Sequence, residues 1–401
     1  MRLVDRYGAV LLDLDGVLYR GDRPVPGAAE AVAELRRAGT RVIFLTNNSA
    51  RTAEQVAAKL RGHGIEAAAD EVVTSARPAA RLVAGDGASP TAYVIGRDGV
   101  RTALAEAGVE VLDGVPERAD AVVIGWDGDV GYDQLRVASV LVRRGARLVA
   151  TNDDASYPAP GGELWPGAGA ILAAVETASG ASATVVGKPH RPLFDEALDL
   201  AGTRKALMVG DRLETDVVGA ARVGIDAILV LSGASSRSDL LDQDRLPVAV
   251  GADVAVLLDE RPRAVPRPAR SEELEGVRRL VEAPAEVPAW GPEGVWLIEG
   301  EDGLMATATA EVRGAEAYLR GVATREEARG LDLGTLVVAG AVGDARRHGA
   351  STCFLLTETA EGFFDRLGFR RIDRAEVPPW ALDRSPECPA SAVAMVRELA
   401  Q

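Results

Sequence analysis

Ala9-Val10-Leu11-Leu12-Asp13-Leu14-Asp15-Gly16-Val17 joins a short apolar run to two carboxylates, two positions apart, and a glycine. A branched, fully apolar run of this length predicts a strand buried on both faces, as in a parallel sheet. Asp13 and Asp15 then fall together where that strand ends, the edge at which open α/β sheets meet their ligands. Gly16 lets the backbone turn sharply and lets a ligand come close. Adjacent carboxylates repel unless a cation or a proton shares their site. The segment therefore calls for a metal ion, with its remaining ligands supplied from elsewhere in the chain.

Outward from this segment, apolar runs alternate with amphipathic stretches as far as residue 231. Val42–Leu45, Tyr93–Ile95, Val122–Ile124, Leu148–Ala150, Thr184–Val186, Leu207–Val209 and Ala227–Leu231 read as strands. Ala28–Ala38, Thr52–Leu60, Gln134–Arg143 and Ala168–Ala178 have helical spacing. Strand and helix repeated in this way predict a mostly parallel sheet with helices on both faces. The Pro- and Arg-rich stretch Arg261–Arg270 breaks the pattern and reads as an extended linker. A second domain is expected from Ser271, with sequential strands at Val295–Glu299, Leu304–Thr309 and Tyr318–Val322 and a hairpin turn at Gly300–Gly303. A helix over Gly334–His348 and the strand Thr352–Leu356 follow.

Composition narrows the function. The 401 residues suffice for two or three domains. A net charge of −15 disfavours nucleic acid, whose phosphates attract cations. Two cysteines, Cys353 and Cys388, make neither a disulfide framework nor a thiolate metal site. Three histidines (His63, His190 and His348) argue against histidine-ligated zinc and against a serine–histidine hydrolase. No apolar stretch reaches membrane-spanning length, and the first strand begins too early for a signal peptide, so the cytoplasm is expected.

Three further segments follow strand ends. Thr46-Asn47-Asn48-Ser49 offers a hydroxyl and backbone N–H groups to anionic oxygens. Lys188, in Gly187-Lys188-Pro189, can balance a phosphate and two aspartates. In Gly210-Asp211-Arg212-Leu213-Glu214-Thr215-Asp216, Asp211 can be a third oxygen ligand of a hard cation such as magnesium, and Asp216 can hold its waters. Each has a plainer reading by itself. Thr46–Ser49 could cap the helix near Arg51, Lys188 could be a solvated loop lysine, and the two aspartates could serve a helix dipole. Their order and spacing together favour one site.

The set resembles the haloacid dehalogenase (HAD) superfamily of phosphotransferases, in the form of its NagD / 4-nitrophenylphosphatase branch, over residues 5–255. The resemblance implies a Rossmann-like core of residues 1–74 and 182–260 with an inserted α/β cap at 75–181. It implies a phosphatase in which Asp13 is the nucleophile, forming an aspartyl-phosphate, and Asp15 is the general acid and base. Thr46, the N–H of Asn47, and Lys188 would hold the phosphoryl group. Magnesium would be bound by Asp13, the main-chain carbonyl of Asp15, and Asp211, with Asp216 one step further out. Two catalytic carboxylates make a phosphate-sensing module a poor alternative, because a binder needs neither. Within the cap, Asn152, Asp153 and Asp154 are the specificity candidates. A loop with few aromatics suits a small polyol phosphate better than a stacking substrate. The two-domain layout resembles the glycerol 3-phosphate phosphatases of this branch, with phosphoglycolate, sugar phosphates and 4-nitrophenyl phosphate as alternatives. The implied partner is a small phosphate ester, without nucleic acid or membrane, and a homodimer is compatible with the layout.

Residues 290–399, within a domain spanning 271–401 after a linker at 261–270, resemble the GNAT acetyltransferase superfamily, an α+β fold. Tyr318–Ala323, Arg329-Gly330-Leu331-Asp332-Leu333-Gly334 and Phe363–Phe369 carry the likeness. In active members the second segment is an Arg/Gln-x-x-Gly-x-Gly loop that cradles the coenzyme A pyrophosphate. Here Asp332 takes the middle glycine's place, Phe364 stands where many members have tyrosine, and Ser271–Val287 is short for the usual opening elements. A structural or regulatory domain is expected, without acetyl-CoA. The alternative is a bifunctional enzyme with a working acetyltransferase.

Overall fold

Ala9–Leu12 forms a strand with all of its residues buried. Ala206–Gly210 lies parallel on one side of it and Arg41–Thr46 on the other, with Val72–Thr74 beyond. Burial on both faces explains why these strands read as unbroken apolar runs rather than as alternating ones. The computed structural model describes residues 2–85, 87–159, 163–281, 292–301, 303–384 and 388–400. The chain divides into two compact units. One is Val4–Ala227 with Asp253–Leu258, and the other is Met1–Leu3, Ile228–Ala252 and Asp259–Gln401.

In the first unit, helix Ala53–Gly62 starts at Thr52, whose side chain accepts from Gln55 N–H while the Gln55 side chain accepts from Thr52 N–H. This capping box satisfies the helix terminus locally. Thr46–Ser49 is therefore not the cap of this helix.

The inserted segment builds its own parallel sheet in the order Thr184–Val185, Arg147–Ala150, Ala121–Ile124, Thr91–Ile95, Glu110–Leu112. Alternate residues point to opposite faces of a strand. Tyr93, Ile95, Val122 and Ile124 accordingly pack with residues of helices Tyr132–Arg143 and Ala168–Ser179. Ala92, Val94, Ala121 and Val123 pack with helices Ala76–Ala84 and Asp98–Glu106. Thr184–Val185, read only as one more strand in the series, is the edge of this inserted sheet.

Ile228–Val230, the part of strand Asp226–Val230 that lies in the second unit, pairs in parallel with Ala249–Gly251, Ile228 opposite Ala249. A seven-stranded sheet runs in the order Arg267–Pro268, Val295–Gly300, Gly303–Arg313, Glu316–Thr324, Thr352–Thr357, Val393–Glu398, Arg370–Ile372. Its pairs are antiparallel except for Glu316–Thr324 against Thr352–Thr357. Gly300 pairs with Gly303, as a hairpin requires. Helix Leu333–Arg347 is apolar nearly all round and buried along its length. The Pro/Arg stretch is more than a connector, since Arg267–Pro268 is the edge strand of this sheet. Proline lacks a ladder donor and is tolerated at such an edge. Of Ser271–Val287, residues 282–287 lie outside the described residues; Leu274–Val281 is a helix.

Phe44 is fully buried in the strand beside Ala9–Leu12. Phe44→Ala is expected to lower the unfolding free energy by about 3–5 kcal/mol, read by urea denaturation. A loss no larger than that of an exposed-site substitution would contradict this packing.

Candidate active site

The motif residues gather at the carboxyl edge of the core sheet. Asp13 N–H donates to Val209 O at 2.9 Å, so Asp13 still keeps the register of its neighbouring strand. Leu12 is level with both Val209 and Phe44, which brings Asp13, Thr46 and Asp211 to one end of three adjacent strands.

Lys188 is only 3% exposed. Its Nζ lies 2.8 Å from Asp13 Oδ1 and 2.6 Å from Asp216 Oδ1. Asp216, fully buried, also accepts the Arg212 N–H on Oδ2 at 3.1 Å. A π-helical turn, Leu213–Val217, carries Asp216 back beneath the strand end before helix Val218–Val223 begins. Burial is the largest influence on the Asp216 carboxyl and pushes its pKa up to about 6, against the pull of Lys188. Burial pulls the Lys188 ammonium down, but Asp13 and Asp216 together outweigh it and its pKa rises. The plainer readings of these residues do not hold, since Lys188 is not solvated and Asp216 is not a surface helix cap.

Two glycines make this density feasible. A Cβ on Gly16, which has φ 84°, would stand 2.3 Å from Asp211 Oδ2. A Cβ on Gly210 would stand 2.2 Å from Asp216 Oδ2. Carboxylate oxygens of Asp13, Asp211 and Asp216 lie within 4.8 Å of one another. Asp13 and Asp216 share the Lys188 ammonium, and Asp211 stands beside them. The cluster's donors are all oxygen, which fits a hard divalent cation. Because Asp216 already engages Lys188 and Arg212 N–H, it fits an outer position in such a site.

Asn47 contributes more than its N–H. Its Oδ1 accepts the Lys188 N–H at 2.7 Å, and its Nδ2 donates to Lys188 O at 3.0 Å and to Asp154 Oδ2 at 3.2 Å. Its carbonyl accepts from Ser75 Oγ at 2.6 Å and from Asn152 Nδ2 at 2.9 Å. Asn152 is buried, and Asp154, whose pKa burial raises, leans on the same amide. Asp153 stands 3.6 Å from His190 Nε2. Of the three cap candidates, Asn152 and Asp154 thus tie the cap loop to Asn47, which in turn holds the backbone of Lys188. The Asn47 clamp bridges 141 positions of sequence, so no local signal could reveal it.

Asp15 opens to solvent at the mouth. Partial burial, and then the Asp13 carboxylate, hold its pKa above the ordinary aspartate range despite Lys59 and Arg212. Lys59 Nζ sits 3.9 Å over the ring of Tyr19. The cap also gathers aromatics that are scattered in sequence. Trp126 and Tyr157 meet edge-on at 5.3 Å, Tyr157 and Trp165 at 6.4 Å, and Arg97 lies over Trp126 at 5.3 Å. The expectation of an aromatic-poor cap loop missed this convergence of three separate segments.

The chain is similar to known proteins. Residues 10–110 match the haloacid dehalogenase-like hydrolase family, 185–257 a HAD-hydrolase-like family, and 267–369 the acetyltransferase (GNAT) family. The acid sugar phosphatase of Staphylococcus haemolyticus is 39% identical over 256 residues, which cover 63% of this chain and 96% of that protein. The crystal structure of a glycerol phosphate phosphatase from Mycobacterium tuberculosis, in complex with magnesium, superposes with a TM-score of 0.71 at 30% identity. That match covers 92% of this chain and 98% of the other. A thermostable NPPase double mutant from Geobacillus stearothermophilus gives 0.57 at 36% identity, covering 63% of this chain and 98% of its own. The chain belongs to the haloacid dehalogenase-like hydrolases. Within them it is a phosphatase, a phosphoric monoester hydrolase, with a C-terminal domain of the GNAT family. Among the described residues no helix is long and apolar enough to cross a membrane.

Asn47→Ala removes the clamp on Lys188, and the hydrogen bond to Asp154, without touching Asp13, Asp211 or Asp216. It is expected to lower kcat/KM by about 100-fold while the protein stays folded, because small misplacements of a charge-stabilising group cost that much. Steady-state kinetics beside circular dichroism checks this; near wild-type kinetics would remove Asn47 from the machinery.

Proposed function

We propose that this phosphatase is magnesium-dependent, works through an aspartyl-phosphate on Asp13, and acts on glycerol 3-phosphate. The observation that carries the proposal is Asp13 held beside Lys188 and within one cluster with Asp211 and Asp216. A carboxylate cannot approach a phosphate dianion until positive charge offsets the repulsion.

Asp13 attacks phosphorus, and the bond from phosphorus to the substrate oxygen breaks. Asp15, its pKa held up by partial burial, gives its proton to the departing alkoxide. The ionised Asp15 then takes a proton from water, which attacks the aspartyl-phosphate and restores the Asp13 carboxylate. Lys188, Thr46 and the Asn47 N–H hold the phosphoryl oxygens throughout. Asp13, Asp211 and the main-chain carbonyl of Asp15 would hold magnesium, which when bound neutralises charge on the transferring group, and Asp216 would stand behind them. Asn152 and Asp154 couple the cap to the lysine loop through Asn47, so cap position and phosphate binding are linked.

Support for the substrate comes from the likeness to the glycerol phosphate phosphatase, which extends through both units of the chain. A sugar phosphate is the second reading, supported by the likeness to acid sugar phosphatases over the hydrolase part. The test is phosphate release from a panel of glycerol 3-phosphate, sugar phosphates and 4-nitrophenyl phosphate, with the wild type and Asp13→Asn, after EDTA and after magnesium is restored. The highest kcat/KM is expected for glycerol 3-phosphate. Activity should vanish with EDTA or in Asp13→Asn, and return to the wild type with magnesium. Activity that survives Asp13→Asn would end the nucleophile assignment.

Asp15→Asn separates the acid from the nucleophile. Phosphoryl transfer from 4-nitrophenyl phosphate needs no proton on its leaving group, whereas an alkoxide does. Burst-phase kinetics should show a larger loss in the first step for glycerol 3-phosphate than for 4-nitrophenyl phosphate. Equal losses would count against Asp15 as the acid.

A further inference from the structure

Helix Leu333–Arg347 begins at Asp332, which takes φ 58°, a left-handed conformation otherwise found here only at glycines among the described residues. A helix start of this kind, with exposed N–H groups and the positive end of the dipole, draws an anion. In the GNAT family that anion is the coenzyme A pyrophosphate. Here the position carries a carboxylate of the chain's own. Arg237 binds it as a fork, Nε to Oδ1 at 2.7 Å and Nη2 to Oδ2 at 3.0 Å. Thr335 Oγ1, in the first turn, donates to Oδ1 at 3.3 Å. The ring of Phe363 lies 3.4 Å from where a Cβ on Gly334 would stand, so the first turn is covered on that side too. A pyrophosphate arriving here would meet like charge already fixed in place, and the residues present do not fit acetyl-CoA.

The arginine comes from outside the acetyltransferase-like segment. Arg237 lies within residues 185–257, the part matched to the hydrolase family, and in the same compact unit as Asp332. Two more arginines grip that neighbourhood from the C-terminal side. Arg397 Nη2 reaches Asp242 Oδ2 at 2.6 Å and Ser238 O at 3.2 Å. Arg346 reaches Asp242 O at 2.6 Å and Asp244 Oδ1 at 2.7 Å. Leu240 and Leu241 of the same segment are fully buried. Forked arginine–carboxylate pairs specify geometry as well as charge.

We infer that the C-terminal domain does not take acetyl-CoA and works instead as a brace. Asp332 supplies from within the chain the negative charge that the helix start would draw from a ligand, and Arg237 locks it against the segment Ser236–Asp244. The inference is independent of the phosphatase mechanism and stands or falls on two measurements with the full-length protein. The first is isothermal titration with acetyl-CoA. Absence of saturable heat is expected, and stoichiometric binding would overturn the inference. The second is hydrogen–deuterium exchange of the peptide covering Ser236–Asp244. Asp332→Gly removes the carboxylate and accepts φ 58° without strain. Arg237→Ala removes the partner and leaves that backbone untouched. Exchange in the peptide should rise by about tenfold in either variant, as loss of a charged hydrogen-bonded contact implies. Unchanged exchange in both would refute the brace.

Discussion

A single buried ammonium, that of Lys188, holds two carboxylates, and the carboxylate cluster at the end of the central strand is arranged around it. Lys188 cannot be solvated where it stands, so its charge is tolerable only because Asp13 and Asp216 lie within 3 Å of it. Those carboxylates in turn could not be packed beside Asp211 without positive charge. The constraint is mutual, and it explains why so much of the surrounding structure serves position rather than bulk. The parallel register levels three strand ends, the π-helical turn returns Asp216, and Asn47 fixes the lysine backbone at both its N–H and its carbonyl.

The cap is bound into the same constraint. Asn47 spends its side chain on Lys188 and Asp154, and its carbonyl on Ser75 and Asn152. One residue thus touches Lys188, Ser75 and the loop that carries Asn152 and Asp154. The cap loop and the lysine backbone therefore meet through Asn47, which hydrogen-bonds both.

The C-terminal half shows how a familiar fold and local chemistry can diverge. The long apolar helix follows from its residue pattern, and residues 267–369 match the acetyltransferase family. Chemistry at the helix start depends on one position, and there a carboxylate replaces a glycine. The change turns an anion-accepting terminus into one partner of a forked ion pair.

Strand and helix periods are local properties, which is why the apolar runs Ala9–Leu12, Arg41–Thr46 and Ala206–Gly210 and the amphipathic helices between them were legible in the amino-acid order. So were Asp13 and Asp211, because side chains that follow strand ends in a parallel sheet share one edge, whereas Lys188 follows a strand of the inserted sheet and Asp216 lies on a π-helical turn, and both were legible only through the order and spacing of their segments. Short or weakly patterned elements were not legible. Val72–Thr74, Ala249–Gly251 and Val393–Glu398 take their structure from the neighbours they pair with. Contacts across long stretches of chain escaped as well: the Asn47 clamp, the converging Trp126, Tyr157 and Trp165, and Arg237 on Asp332. Each joins side chains that nothing in their own surroundings marks as partners. Folding alone brings them within hydrogen-bonding or ring-contact distance, so the residue types that can do chemistry were set by the sequence, while what each of them touches was settled by packing.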